Sequence, residues 1–172
     1  LTSIYNGLVF MENTEDRVAL ARKIKQVAIK MLARREHSLK ELELKLTKKG
    51  YLNIMVMQIL EELQQEGLQS DERFAESYVR SKREQGMGPY RIRAELLRRG
   101  VSQIVIDKHL AEADTAWFEA AQDVRNKRFG DEMPGVKKEC LKQMQFLQYR
   151  GFTKDHIRHV FDKVGLEVEH FE

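Results

Sequence analysis

Apolar residues recur along this chain at helical spacing, and no stretch alternates for long enough to make a strand. Ile24, Val27, Ala28, Met31 and Leu32 fall on one face of a helix, with the basic residues of that segment on the other. Ser38, followed three residues later by Glu41, has the spacing of a capping box that starts a second helix. Leu39, Leu42 and Leu46 form its inward stripe, and Gly50 ends it in the left-handed conformation that other residues resist. Asn53 is placed to cap a third helix from about Ile54 to Gln65, which Gly67 terminates.

The pattern then repeats. Gly50, Gly100 and Gly151 lie 50 and 51 residues apart, each with a leucine four residues before it, a cation just before it and an apolar residue just after. Val56, Ile106 and Ile157 follow at a fixed offset, as do Leu60, Leu110 and Phe161. In the second copy, Ser70 or Asp71 caps a helix carrying Phe74, Ala75, Tyr78 and Val79. Gly88-Pro89 breaks the chain before Ile92 and Leu96, and Ser102 caps the helix of Ile104, Ile106 and Leu110. In the third, Ala116, Trp117, Ala120 and Val124 open the pattern, residues 129–135 form a loop, and Thr153 caps the final helix. The expected fold is all-α: three tandem three-helix repeats forming an elongated, curved array, since a unit of this size buries little core alone. The expected boundaries are 17–69, 70–113 and 114–165, with a flexible N-terminal extension at 1–16 and an acidic tail at 166–172.

Composition narrows the function. A third of the residues are charged and the formal net charge is only +3. The charges are segregated, however: the first two helices of repeats one and two are rich in Lys and Arg. The third helices carry Glu61, Glu62 and Glu66, then Asp107, Glu112 and Asp114. Such faces suit an anionic polymer or an acidic protein groove, although charge runs also serve simply as solvated surface. No apolar run is long enough for a membrane helix. The short apolar patch from Ile4 to Met11 lacks the basic flank of a signal peptide, and Met11 reads as the start of the native chain. One cysteine, Cys140, permits no internal disulfide and fits a reducing cytoplasm.

Catalytic chemistry finds little support. His156 and His159 with Asp155 make a sparse metal set, and paired histidines at this spacing are more often ordinary surface residues. Cys140 lacks a histidine partner, and Gly86-Met87-Gly88-Pro89 lacks the lysine of a phosphate loop. No enzyme, metal or cofactor is expected. A base-reading helix-turn-helix is disfavoured, because Ile54-Met55-Val56-Met57 and Ile104-Val105-Ile106-Asp107 suit packing better than a groove. Among the aromatic residues Phe74, Tyr78 and Trp117 read as core, which leaves Tyr51 and Tyr90, near helix ends, as surface contacts.

The second repeat also carries a distinctive text. Asp71-Glu72-Arg73-Phe74-Ala75-Glu76-Ser77-Tyr78-Val79-Arg80, with the stretch from Gly88-Pro89-Tyr90 through Arg98-Arg99-Gly100-Val101, resembles the signature of the RecX regulatory family. Ala33 to Leu42 and Lys142 to Phe152 resemble the corresponding stretches of the first and third units, so the likeness runs from about Ile24 to Asp162. The resemblance implies a bacterial cytoplasmic protein of three tandem three-helix repeats. It implies binding to the RecA recombinase, especially its filament on DNA, and restraint of its assembly, ATPase, strand exchange and coprotease activity. On that reading Arg34, Arg35, Lys48, Lys49, Arg80, Arg83, Arg91, Arg93, Arg98 and Arg99 supply the filament-binding surface of a monomer. Arg73 is ambiguous, because Asp71 or Glu76 can pair with it locally. The alternatives are a nonspecific DNA-binding protein that competes for DNA, and a helical adaptor with no nucleic acid involved.

Overall fold

Ser38 caps the second helix as its spacing predicts: its hydroxyl accepts the Glu41 amide at 3.1 Å. The computed structural model describes residues 14–112 and 115–162. Its helices are α1 (Thr14–Leu32), α2 (Leu39–Lys48), α3 (Asn53–Gln65), α4 (Asp71–Glu84), α5 (Pro89–Arg98), α6 (Gln103–Glu112), α7 (Ala116–Phe129), α8 (Lys137–Arg150) and α9 (Lys154–Phe161). Among the described residues there is no strand, and no helix is long and apolar enough to cross a membrane. The expectations for Met11 and the segment before it, for Asp114 and the Glu112 side chain, and for the tail with Glu167, Glu169 and Glu172 lie outside the described residues.

The repeating glycines close α2, α5 and α8 as predicted. Gly50, Gly100 and Gly151 have φ of 89°, 79° and 93°, in the left-handed region where a Cβ is penalised. Tyr51, Val101 and Phe152, each just after its glycine, donate their amides back to Leu46, Leu96 and Leu147. Ser102 receives the Val105 amide at 3.4 Å, and Thr153 receives the His156 amide at 3.2 Å.

Asn53 does not cap α3. Leu52 occupies the cap position with no side-chain bond, and Asn53 is already helical, because the Leu52 carbonyl takes the Met55 and Val56 amides. Ile54 and Ile104 do not pack either; they are 67% and 83% exposed. Each lies two residues before the buried Val56 or Ile106, and two helical steps rotate a side chain by about 200°, away from the core.

The helices assort into two compact units, residues up to Ser70 and residues from Asp71. In the first, Ile24 and Ala28 of α1, Leu42 and Leu46 of α2, and Val56, Ile59, Leu60 and Leu63 of α3 form the core. Lys25 meets Glu62 and Glu66 at 3.2 and 2.6 Å, so the basic first helix is partly neutralised by the acidic third. Buried His37 accepts Lys45 at Nε2 (2.8 Å) and sits 3.0 Å from the Arg35 carbonyl at Nδ1; burial lowers its pKa.

In the second unit, two repeats share one core. Phe74, Ile92 and Leu96 belong to the same cluster as Trp117, Met144, Leu147, Phe152 and Phe161. Backbone joins them as well: Gly88 donates its amide to Arg150 at 2.8 Å and Tyr90 donates to Gly151 at 3.0 Å. The main chains approach so closely that a Cβ on Gly88 would stand 2.3 Å from the Gly151 carbonyl carbon and the Phe152 nitrogen. Gly88 therefore does more than break a helix; its missing side chain lets the repeats join.

Candidate anion-binding surface

The cations of the surface lie on α2, α4 and α5 and at the helix ends beside them. On α5, Tyr90, Arg91, Ala94, Leu97 and Arg98 are exposed and fall within one arc at helical spacing, opposite the buried Ile92, Leu96 and Val101 side. Lys40, Leu44 and Lys48 form the corresponding exposed line on α2. Arg34, Lys48 and Lys49 in the first unit, and Arg80 and Arg98 in the second, are exposed, and their side chains have no ion-pair or hydrogen-bond partner among the described residues. Each presents a full positive charge to solvent.

The other predicted cations are engaged locally. Arg35 meets Glu41 at 3.0 Å. Arg93 is paired with Asp107, linking α5 to α6, and this contact holds the Asp107 carboxyl below the usual range. Arg83 lies over the Trp117 ring, 5.8 Å from its centroid. Arg91 and Arg99 converge on Glu95, at 3.4 and 4.0 Å. Arg99 also donates to the Glu95 main-chain carbonyl at 3.0 Å and covers the Tyr78 ring at 4.7 Å.

Glu95 is the organiser that sequence reading missed. It sits on α5 among cations and looks like a solvated face residue, yet it is 9% exposed and accepts the Tyr78 hydroxyl. Burial alone would raise its pKa. The hydrogen bonds from Tyr78 and Arg91 and the nearby Lys82 and Arg99 charges outweigh that and hold the carboxyl ionised below its ordinary value. Its charge fixes the directions of Arg91 and Arg99, while Arg98 between them stays free.

A second unpredicted anchor is Arg125, fully buried on α7. Its guanidinium donates to Gln143 at 2.9 Å, to the Gly130 carbonyl at 2.7 Å, to Asp131 at 3.3 Å and to the Glu132 carbonyl. These bonds hold the loop before α8 against the third repeat. The only advance sign of it was an arginine at a core-facing helical position, four residues after Ala121.

Two expectations are corrected. His156 is not a surface residue; it is 3% exposed, and its Nδ1 accepts the Thr153 amide at 3.2 Å, completing the cap of α9. Tyr51 is half-buried against the first core rather than offered to a partner. Phe118 packs in a T-shaped contact with His156, and Phe129 does the same with Phe146. Cys140, 1% exposed, is a packed side chain.

Comparison with known proteins gives the family and the fold. Residues 25–63, 70–110 and 114–161 match the models of the first, second and third three-helix domains of RecX. A protein of Halorhodospira halophila named Regulatory protein RecX is 46% identical over 140 residues, 81% of this chain and 87% of that protein. One of the same name from Pseudomonas putida is 39% identical over 78% of this chain and 86% of its own length. The crystal structure of RecX from Lactobacillus salivarius is similar in fold, with a TM-score of 0.72 at 23% identity, covering 86% of this chain and 97% of that one. A further crystal structure of a regulatory protein RecX gives 0.74 at 22% identity over 92% and 81% of the two chains. With all three domains matched in order and close relatives aligned over most of their length, the chain belongs to the RecX family.

Proposed function

We propose that the protein binds the RecA recombinase assembled on DNA and restrains that filament, acting in the cytoplasm as a monomer. On this reading it is a brake on filament growth, ATP hydrolysis, strand exchange and coprotease activity, and so on recombination, repair and the SOS response. One observation carries the proposal: membership of a family of regulatory proteins across all three repeats. The exposed cations without partners support it, because an array of fixed positive charges favours a nucleoprotein groove lined by phosphates and acidic side chains.

No covalent step is required. A protein that binds one filament state more tightly than another shifts the equilibrium by the difference in binding free energy alone. Arg34, Lys48, Lys49, Arg80 and Arg98 are the primary contacts in this proposal. Arg83, Arg91, Arg93 and Arg99 act with part of their charge already answered, and Arg35 likewise.

The test is a charge-reversal series read by recombinase ATPase on single-stranded DNA. Arg80→Glu with Arg98→Glu should abolish inhibition while leaving the fold intact; unchanged inhibition removes these residues from the contact. The competing explanation, simple occupation of DNA, is separated by adding excess naked DNA after filaments have formed. Persistent inhibition supports filament binding, and relief supports competition.

A further inference from the structure

Beside the free face of α5 lies a cavity of about 410 Å³, lined by Tyr90, Met144, Gln148, Phe152, Lys154 and Ile157 among others. Met144, Phe152 and Ile157 are core residues, 2%, 2% and 5% exposed, and give it an apolar floor. Tyr90 stands at its edge with 62% of its surface open. The main chain of that residue is fixed by the hydrogen bond its amide donates to the Gly151 carbonyl, and its ring makes no aromatic contact among the described residues. The volume is of the order that takes a small planar ligand (~300–1,000 Å³).

Charge decides which planar ligand. Arg91 follows Tyr90 directly, and Arg98 lies two helical turns along the same face, so cations run away from the cavity along α5. Lys154 adds a third at the rim and has no partner among the described residues, whereas its neighbour Asp155 is answered by Arg158 at 3.5 Å. An apolar slot with an open aromatic wall, flanked by the unpaired Arg98 and Lys154 and by Arg91, whose charge Glu95 answers in part, matches a nucleobase attached to its phosphates. A purely apolar protein side chain would make no use of the flanking charge.

We infer that this cavity is a nucleobase subsite for single-stranded nucleic acid, in which an unstacked base lies against Tyr90 while adjacent phosphates engage Arg91, Arg98 and Lys154. The inference rests on the proposed function and specifies how the DNA of the filament is touched. Stacking of this kind tolerates any base, because each offers a π-face, and so gives affinity without sequence preference. Gln148 and the Thr153 segment supply polar groups at the rim without imposing a base code.

The experiment compares fluorescently labelled oligothymidylate with an abasic oligomer of equal length, titrated with the full chain at fixed ionic strength. The wild type should bind the oligomer that carries bases roughly 5- to 100-fold more tightly. Tyr90→Phe should keep that preference, and Tyr90→Ala should erase it while the salt dependence stays the same. Equal affinity of the wild type for both oligomers, no binding to either, or a preference that survives in Tyr90→Ala overturns the subsite. If Tyr90→Ala weakens filament inhibition but not oligomer binding, the cavity receives a recombinase side chain and the inference is wrong while the proposed function stands. A wild type that leaves recombinase ATPase unaffected removes the proposed function itself, independently of the oligomer result.

Discussion

Gly88→Ala isolates the joint between the second and third repeats. The backbone at Gly88 has φ −84° and ψ 167°, which alanine adopts freely, so conformation alone gives no reason for glycine. On that ground the substitution should stabilise by about 0.4–1 kcal/mol, through a less flexible unfolded chain. Sterics demand the opposite. The new methyl would stand 2.3 Å from the Gly151 carbonyl carbon, 2.3 Å from the Phe152 nitrogen and 2.4 Å from the Gly151 oxygen, all main-chain atoms that cannot rotate aside. Overpacking of this kind costs about 1–3 kcal/mol. Separation of the two main-chain segments also weakens the hydrogen bonds from Gly88 to Arg150 and from Tyr90 to Gly151, at about 0.5–1.5 kcal/mol each. The net expectation is a loss of about 2–4 kcal/mol.

The molecule carries its own reporter for this loss. Trp117 is the single tryptophan, is 1% exposed and lies in the shared core of the second unit. Urea unfolding followed by its fluorescence should show the midpoint falling by roughly 1–2 M at a slope of about 2 kcal/mol/M. Gly135→Ala is the control, since nothing lies within 4 Å of its added methyl, and its midpoint should hold or rise. A Gly88→Ala midpoint equal to or above the wild type would refute the close approach.

Other outcomes follow from the buried polar groups. Glu95→Gln removes a charge that accepts the Tyr78 hydroxyl and meets Arg91 and Arg99, and should cost about 1–3 kcal/mol in the tryptophan assay. Because the native Glu95 pKa is depressed, its contribution is present above the unfolded value of 4.5 and is lost as pH falls through the folded value; the variant should lack that acid-side slope. For His37 the native pKa is lowered chiefly by burial, so the unfolded chain binds the extra proton first. The first unit should lose stability as pH falls below about 6.5, checked by the His37 imidazole shift and amide exchange, and His37→Gln should flatten the dependence. Arg125→Ala would strand the Gly130 and Glu132 carbonyls and leave a void, and should lower stability by about 3 kcal/mol or more on calorimetry.

Local structure was legible in the sequence where one residue's own chemistry set it. Ser38, Ser102 and Thr153 cap as their spacing predicts, and the three glycines supply the left-handed turns that end α2, α5 and α8. Periodicity found the cores but misjudged the ends of apolar runs. Ile54 and Ile104 begin the apolar runs Ile54–Met57 and Ile104–Ile106, yet they point outward because the helical step and not the run length decides the face.

What stayed hidden depended on partners far along the chain. Glu95 meets Tyr78 from the preceding helix, Arg125 meets Gln143 from the following one, and Gly88 meets Gly151 from another repeat. Such charges look like solvated surface until the fold juxtaposes them. The cap by His156 was closer to legible, since it stands three residues after Thr153 where Glu or Gln usually completes the box. The basic surface lay between these cases: its cations were countable in the sequence, but the carboxylates that occupy Arg35, Arg91, Arg93 and Arg99 were not assignable to them.

The central claim is that this chain sits on an assembled recombinase filament. Electron cryo-microscopy of RecA–DNA filaments with and without the protein tests it most directly. Additional helical density following the filament, with α4 and α5 turned toward DNA or acidic side chains, is the predicted result. Filaments of unchanged density, with the protein found only on bare DNA or free in solution, would contradict it.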